Sequence, residues 1–211
     1  LAVHVSESAQ EFEMFAHARG QMFEWLRRNE RDMSDCGLGS PVNHLERNGA
    51  LSENLLAVHV NYLVRGDAVL LGQSKVSVVH CPRSHDYFRH DPFPLRELLK
   101  SRVNVCLGAD SLVTVLKARK ESVSLNLFEE MRAFATDHDV PARTIVRMAT
   151  LNGARALGLA GQVGEIAVDA FADLIAIPFA GKVAEVWDGI VHHPGEVTAS
   201  LIDGQWAIPP N

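Results

Sequence analysis

Histidine and carboxylate side chains recur in this chain where short apolar runs end. His4 lies in Leu1–Val5 with Glu7 three residues on, and His59 ends Leu55–Val58. His80 ends Val76–Val79 with Ser84 and His85 just beyond it, and Asp110 follows Val103–Leu107 and Gly108. Imidazoles and a carboxylate converging on one mouth make the donor set of a Zn²⁺ or Fe²⁺ centre, and a second carboxylate can move protons there. Each residue also has a structural reading. His4 could be a core histidine bonded to a carbonyl, Glu7 a first-turn carboxylate favoured by the helix dipole, His59 a strand cap, and His80 a neighbour of a proline turn. The shared order and position of the set favour the chemical reading.

The elements that must position these groups follow from hydrophobic patterning. The four apolar runs read as buried strands, each followed by a helical segment. Ser8–Arg28 has apolar residues near helical spacing with Ser8 as its cap, and a short helix is expected near Val42–Asn48 in the turn-rich stretch Arg28–Ala50. Arg65–Gly72 and Leu95–Ser101 read as helices. Pro82 stops the third strand, and residues 82–94 read as a polar and aromatic loop. Helices are expected over Leu125–His138 and Pro141–Leu157. Beyond Gly161, short β-like runs (Gly164–Val168, Asp173–Ile177, Val183–Trp187, Glu196–Ile202, Gln205–Ile208) predict a small antiparallel sheet. Two parts are therefore expected, residues 1–160 carrying the site and residues 161–211 forming the β portion. Four strand–helix units suit either half of an eight-stranded barrel or a small open parallel sheet, and functional groups gather at the C-terminal strand ends of both.

Bulk composition narrows the function. The chain has 211 residues, 47% hydrophobic and 22% charged, a globular balance. A formal net charge of −6 without a basic run argues against nucleic acid. No apolar run reaches membrane-spanning length. The three cysteines, Cys36, Cys81 and Cys106, read as buried thiols in a reducing, cytoplasmic setting.

On particular motifs the chain resembles the amidohydrolase superfamily, in the aminohydrolase branch of adenosine-type, S-adenosylhomocysteine-type and guanine-type deaminases and triazine chlorohydrolases. HVSE at 4–7 resembles that branch's strand-five His-x-x-Glu, and AVHV at 57–60 its strand-six histidine. VVHCPRSH at 78–85 is similar to the strand-seven turn, LGADS at 107–111 to the strand-eight aspartate, ATLNGARALGL at 149–159 to the helix after the barrel, and GEIAVDAFADLIAI at 164–177 to the return into an accessory sheet. The resemblance implies an α/β fold: the C-terminal half of a TIM-like (β/α)8 barrel, strands five to eight, with part of a small accessory β-sandwich. It implies one divalent metal, zinc first and iron as the alternative, held by His4 and Asp110. Glu7 becomes the acid that protonates a ring nitrogen, His59 the group that orients the attacking water or a substrate oxygen, and Asp110 an acceptor of the water's proton. Arg83, Ser84 and His85 become candidates for substrate contact. Three departures stand out. The family's strand-one His-x-His appears nowhere in the 211 residues; His85 stands where the turn usually has Asn; and Asp169 stands where Gly is common, a mild change because Asp tolerates left-handed backbone.

The implied activity is hydrolytic deamination of a purine-like or other N-heterocyclic amine, an aminodeoxyfutalosine-type substrate among them, by an enzyme whose N-terminal half lies outside this sequence. Two alternatives compete: hydrolysis of a cyclic amide or C–Cl bond on the same scaffold, and a non-catalytic half-barrel that associates with a partner chain or with itself through its open sheet edges.

Overall fold

Short apolar runs between polar turns build the first sheet. The structure, a computed structural model, describes residues 1–117 and 122–210. It divides into two units, Leu1–His80 with Phe88–Val105, and Cys81–Tyr87 with Cys106–Asn211.

In the first unit, strands β1 (Ala2–Val5), β2 (Leu56–His59) and β3 (Ser77–His80) pair in parallel, and β4 (Asn104–Leu107), of which Asn104 and Val105 fall in this unit, is next in the order β1-β2-β3-β4. Parallel strands need crossovers. The β1–β2 crossover carries helices α1 (Ala9–His17), α2 (Gln21–Arg28) and α3 (Pro41–Arg47), and α4 (Asp67–Gln73) joins β2 to β3. Leu55, Ala57, Val76, Val78 and Val105 are fully buried with Leu71 and Leu98, so strands and crossover helices share one core. The helix expected over Ser8–Arg28 is two helices. Ser8 caps α1 as expected, accepting from the Glu11 N–H, but Ala18 turns left-handed (φ 48°) and Gly20 follows at φ 97°. Ser40 caps α3 through a reciprocal box with Asn43. Asp67, 1% exposed, ties that cap to α4 by accepting from Ser40 Oγ (2.9 Å) and the Val64 N–H (2.9 Å).

The second unit contains α5 (Pro82–Phe88) up to Tyr87, although the sequence reads as a loop there. Pro82 ends the strand and at once begins a helix, because its fixed φ and missing N–H suit a first turn. Helix α6 (Leu95–Lys100) belongs to the first unit. Downstream lie a 3₁₀ turn (Leu112–Thr114), α7 (Leu127–Asp137), α8 (Ala142–Ala149) and α9 (Leu151–Ala156). The expected helix over Pro141–Leu157 breaks at Thr150 (φ −125°, ψ −89°). Phe134, Ile145 and Met148 form this unit's core. Strands β5 (Leu174–Ala176), β6 (Ala199–Ile202) and β7 (Gln205–Ile208) make the small antiparallel sheet, in the order β5-β6-β7. Two β-like runs are not strands. Gly164–Val168 is irregular, and Val183–Trp187 is a 3₁₀ turn leading into α10 (Val186–Val191). Val183, Val186, Trp187 and Ile190 repeat at helical spacing, a period too long to show in five residues. Asp169 adopts φ 67°, in the left-handed region a glycine would favour. Among the described residues no helix is long and apolar enough to cross a membrane.

Candidate metal centre

Strand register brings the first histidines together. Across the β1–β2 pair, His4 faces Val58 and Val5 faces His59. The ladder continues past the strand ends: the Val60 N–H donates to the Val5 carbonyl (2.9 Å), and the Asn61 N–H to that of Ser6 (3.0 Å). Within this extension the backbone turns left-handed at Ser6 (φ 53°), His59 (φ 73°) and Val60 (φ 54°). Such a φ is costly for any side chain and more so for β-branched valine. Residues held there gather at functional sites, at about 1–3 kcal/mol each.

The result is a compact cluster. Glu7 Oε2 lies 3.7 Å from His4 Nδ1, and Glu7 Oε1 lies 3.6 Å from His59 Nε2. The two imidazoles meet edge to face, 4.7 Å between centroids. Among the described residues, His4, Glu7 and His59 are the one group of three or more such side chains whose donor atoms all fall within 4.8 Å. His59 is 3% exposed and His4 59%, so the cluster opens to solvent on the His4 side.

These residues fit a divalent metal. Imidazole is a common ligand of zinc and iron, and a second imidazole and a carboxylate beside it suit the holding and protonation of a metal-activated water. At 3.7 and 3.6 Å from the two imidazoles, the Glu7 carboxylate stands within reach of a group bound beside them.

The cluster is anchored by groups the sequence reading did not single out. The Glu11 carboxylate accepts from the Ser6 N–H (2.8 Å) and the Glu7 N–H (2.8 Å). Burial pushes the Glu11 carboxyl upward against the pull of those two N–H donors. Asn61 Nδ2 donates to the Glu7 carbonyl (2.9 Å), and the Ser6 hydroxyl donates to the Tyr62 carbonyl. One signal was available, Ser8-x-x-Glu11, the spacing of a helix capping box. Here the carboxylate passes over the cap residue and binds the two residues before it. His90, whose ring lies 6.0 Å from that of Tyr62, is drawn downward from the usual imidazole range by burial, and the charges of Glu7 and Asp91 oppose this.

His80 is 2% exposed and stacks on Phe93, with ring centroids 3.8 Å apart and planes 15° from parallel. Asp110, in the second unit, is left-handed (φ 45°) and accepts on Oδ2 from both Ser84 Oγ (2.6 Å) and Thr114 Oγ1 (3.0 Å). Ser84 therefore holds a carboxylate, and Thr114 joins it. Arg83 is 8% exposed and committed to its own unit. Its Nε donates to Glu130 Oε1 (2.6 Å), one Nη to Glu129 (2.8 Å) and the other to the Ser124 carbonyl (2.9 Å). These bonds pin α5 to α7. His85 lies half-buried on α5. Burial pushes the Cys81 thiol up to about 12, with Asp110 and Glu130 adding to the effect, and Cys106 up to about 11. Both stay protonated near neutrality.

A deaminase of 5-methylthioadenosine and S-adenosylhomocysteine from Syntrophobacter fumaroxidans is 40% identical over 147 residues, 66% of this chain and 32% of that protein. Among solved structures, an adenosine deaminase from Xanthomonas campestris with bound zinc superposes with TM-score 0.76 at 27% identity, covering 98% of this chain and 45% of that one. The Helicobacter pylori aminofutalosine deaminase superposes with TM-score 0.79 over 98% of this chain and 51% of that one, a likeness of fold at 22% identity. The chain thus spans about a third to a half of the length of these relatives. The sequence profile of the amidohydrolase family matches residues 1–206, and the chain belongs to that family.

Proposed function

We propose that this chain supplies strands five to eight of a (β/α)8 barrel, with part of an accessory β-sandwich, to a metal-dependent aminohydrolase. Its reaction is hydrolytic deamination of a purine-like amine, in the class of the 5′-substituted adenosines named for its relatives. The observation that carries this reading is the convergence of His4, Glu7 and His59 at the ends of adjacent parallel strands, on backbone held left-handed by a continued ladder.

A bound divalent metal would lower the pKa of water toward neutrality and so supply the nucleophile. His4 would hold it through an imidazole, and Asp110 through a carboxylate that would also accept the water's proton. Buried His59 donates from a fixed position, orienting the attacking water or a substrate oxygen. Glu7, half-buried between the two imidazoles, delivers a proton to the ring nitrogen beside the carbon under attack, so that ammonia can leave. Ser84 and Thr114 fix the Asp110 carboxylate through Oδ2. The buried, protonated thiols suit a cytoplasmic protein.

Metal content by plasma mass spectrometry, followed by ammonia release from a panel of amino-heterocycles, tests the proposal. About one zinc or iron per chain is expected. In the complete enzyme, Glu7→Gln should keep the metal and lose turnover by about 10²–10⁴-fold. Normal turnover in that variant would remove the proton-donor role, and silence across the panel with metal bound would remove deamination.

A further inference from the structure

Glu11 sits one helical turn past Glu7, and its carboxylate is spent on backbone. Both of its oxygens are engaged, Oε1 by the Ser6 N–H and Oε2 by the Glu7 N–H, each at 2.8 Å. Its own N–H is held by the Ser8 hydroxyl at 3.2 Å, so the carboxylate is fixed to the first turn of α1. The residues it grips include left-handed Ser6 (φ 53°), the joint between the strand carrying His4 and the turn carrying Glu7. That turn is held from the other side by Asn61 Nδ2 on the Glu7 carbonyl. A helix cap would need only one of these contacts. Two parallel bonds from an ionised acceptor fix a direction as well as a position.

We propose that Glu11 is a positioning residue of the metal centre, its two-oxygen grip on Ser6 and Glu7 setting the angle at which His4 and Glu7 meet His59. The proposal rests on the cluster being a metal site and goes beyond it by assigning the turn's geometry to one side chain. Glu11→Gln is the sharpest perturbation, because an amide offers one acceptor and turns an N–H₂ group against a backbone N–H. Outer groups of this kind change metal affinity by about 10–100-fold when removed. Glu11→Asp keeps the charge but falls one methylene short of gripping both N–H groups.

The experiment uses the 211-residue chain and two readouts. The first is titration with Co²⁺, followed by its visible absorption and by calorimetry. Glu11→Gln is expected to weaken Co²⁺ binding about 10–100-fold and to alter the band shape, with Glu11→Asp between it and the parent. The control is Asp67→Ala, which removes a buried structural carboxylate from the same unit. It should lower the melting temperature while leaving Co²⁺ affinity within about threefold of the parent, a bound well inside the outer-group effect. The second readout needs no metal. A nuclear Overhauser contact between the His4 and His59 rings, 4.7 Å apart, should be present in the parent and lost in Glu11→Gln. Parent-like Co²⁺ affinity in Glu11→Gln, or a preserved ring contact, overturns the proposal. Failure of the parent chain to bind Co²⁺ would count against the metal centre itself, and the ring contact would still decide the role of Glu11.

Discussion

Replacing Arg83 with Met separates a structural arginine from a substrate-binding one. The guanidinium neutralises Glu130, whose side chain is 0% exposed while that of Arg83 is 9% exposed. Burial pushes the Glu130 carboxyl upward, and the bonds from Arg83 pull it down. Methionine preserves most of the stem volume but leaves Glu130 with the backbone N–H of residue 83 (3.1 Å) as the donor that persists. Breaking a buried pair from one side costs about 3–5 kcal/mol, because the remaining charge is uncompensated. At about 2–4 °C per kcal/mol for a chain of this size, the melting temperature should fall by about 6–20 °C. Adding Glu130→Gln removes the orphaned charge and keeps a carbonyl for that N–H. The double variant should therefore recover to within about 2 kcal/mol of the parent, a strong coupling in a double-mutant cycle. Urea denaturation of the four proteins gives the cycle, and calorimetry gives the melting temperatures. A single variant melting within about 2 °C of the parent, equivalent to at most about 1 kcal/mol, would refute the structural assignment. A KM defect without loss of stability would return Arg83 to the substrate.

The remaining expectations concern other carboxylates of the second unit. Burial, then the charge and hydrogen bond of Asp137, raise the Asp86 carboxyl from 3.8 to about 6. A raised folded pKa in an acid means that stability falls as pH climbs through the window from about 4 to about 6. The displacement corresponds to about 3 kcal/mol, of which solvent screening leaves about 1–2 kcal/mol. Asp86→Asn should therefore stabilise the chain above pH 6 and flatten its profile; urea midpoints at pH 5 and pH 8 check this, and an unchanged slope would count against it. Given the ligand role proposed for Asp110, Ser84→Ala and Thr114→Val should each weaken metal binding by about tenfold in a competition titration. Parent-like affinity in both would mean that the two hydroxyls merely pack against Asp110.

What the sequence could show depended on how far apart the interacting residues lie. Strands β1 to β4 were legible because each is a short apolar run closed by a polar residue, and the histidines of β1 and β2 are the ones drawn into the cluster. The break between α1 and α2 was hidden because apolar spacing carries on across it, although Gly20 marked the joint. Arg83 was illegible for a different reason. In a polar stretch beside a strand end it looks like a ligand contact, and the carboxylates that claim it stand 46 and 47 residues later. No local period records such a pairing. The left-handed residues fall between these cases. Nothing in AVHVNY announces that His59 and buried Val60 take positive φ, and a valine argues against it. They are kept there because the Val60 N–H continues the ladder onto Val5 and the Asn61 N–H onto Ser6. The bonds that set the register of β1 against β2 are therefore continuous with those that impose the turn at His59. A slip of one residue would reverse the facing of His59 and release that strain together. Fold and site are specified here by one set of hydrogen bonds, so the motif's spacing can be read from the sequence while its geometry cannot.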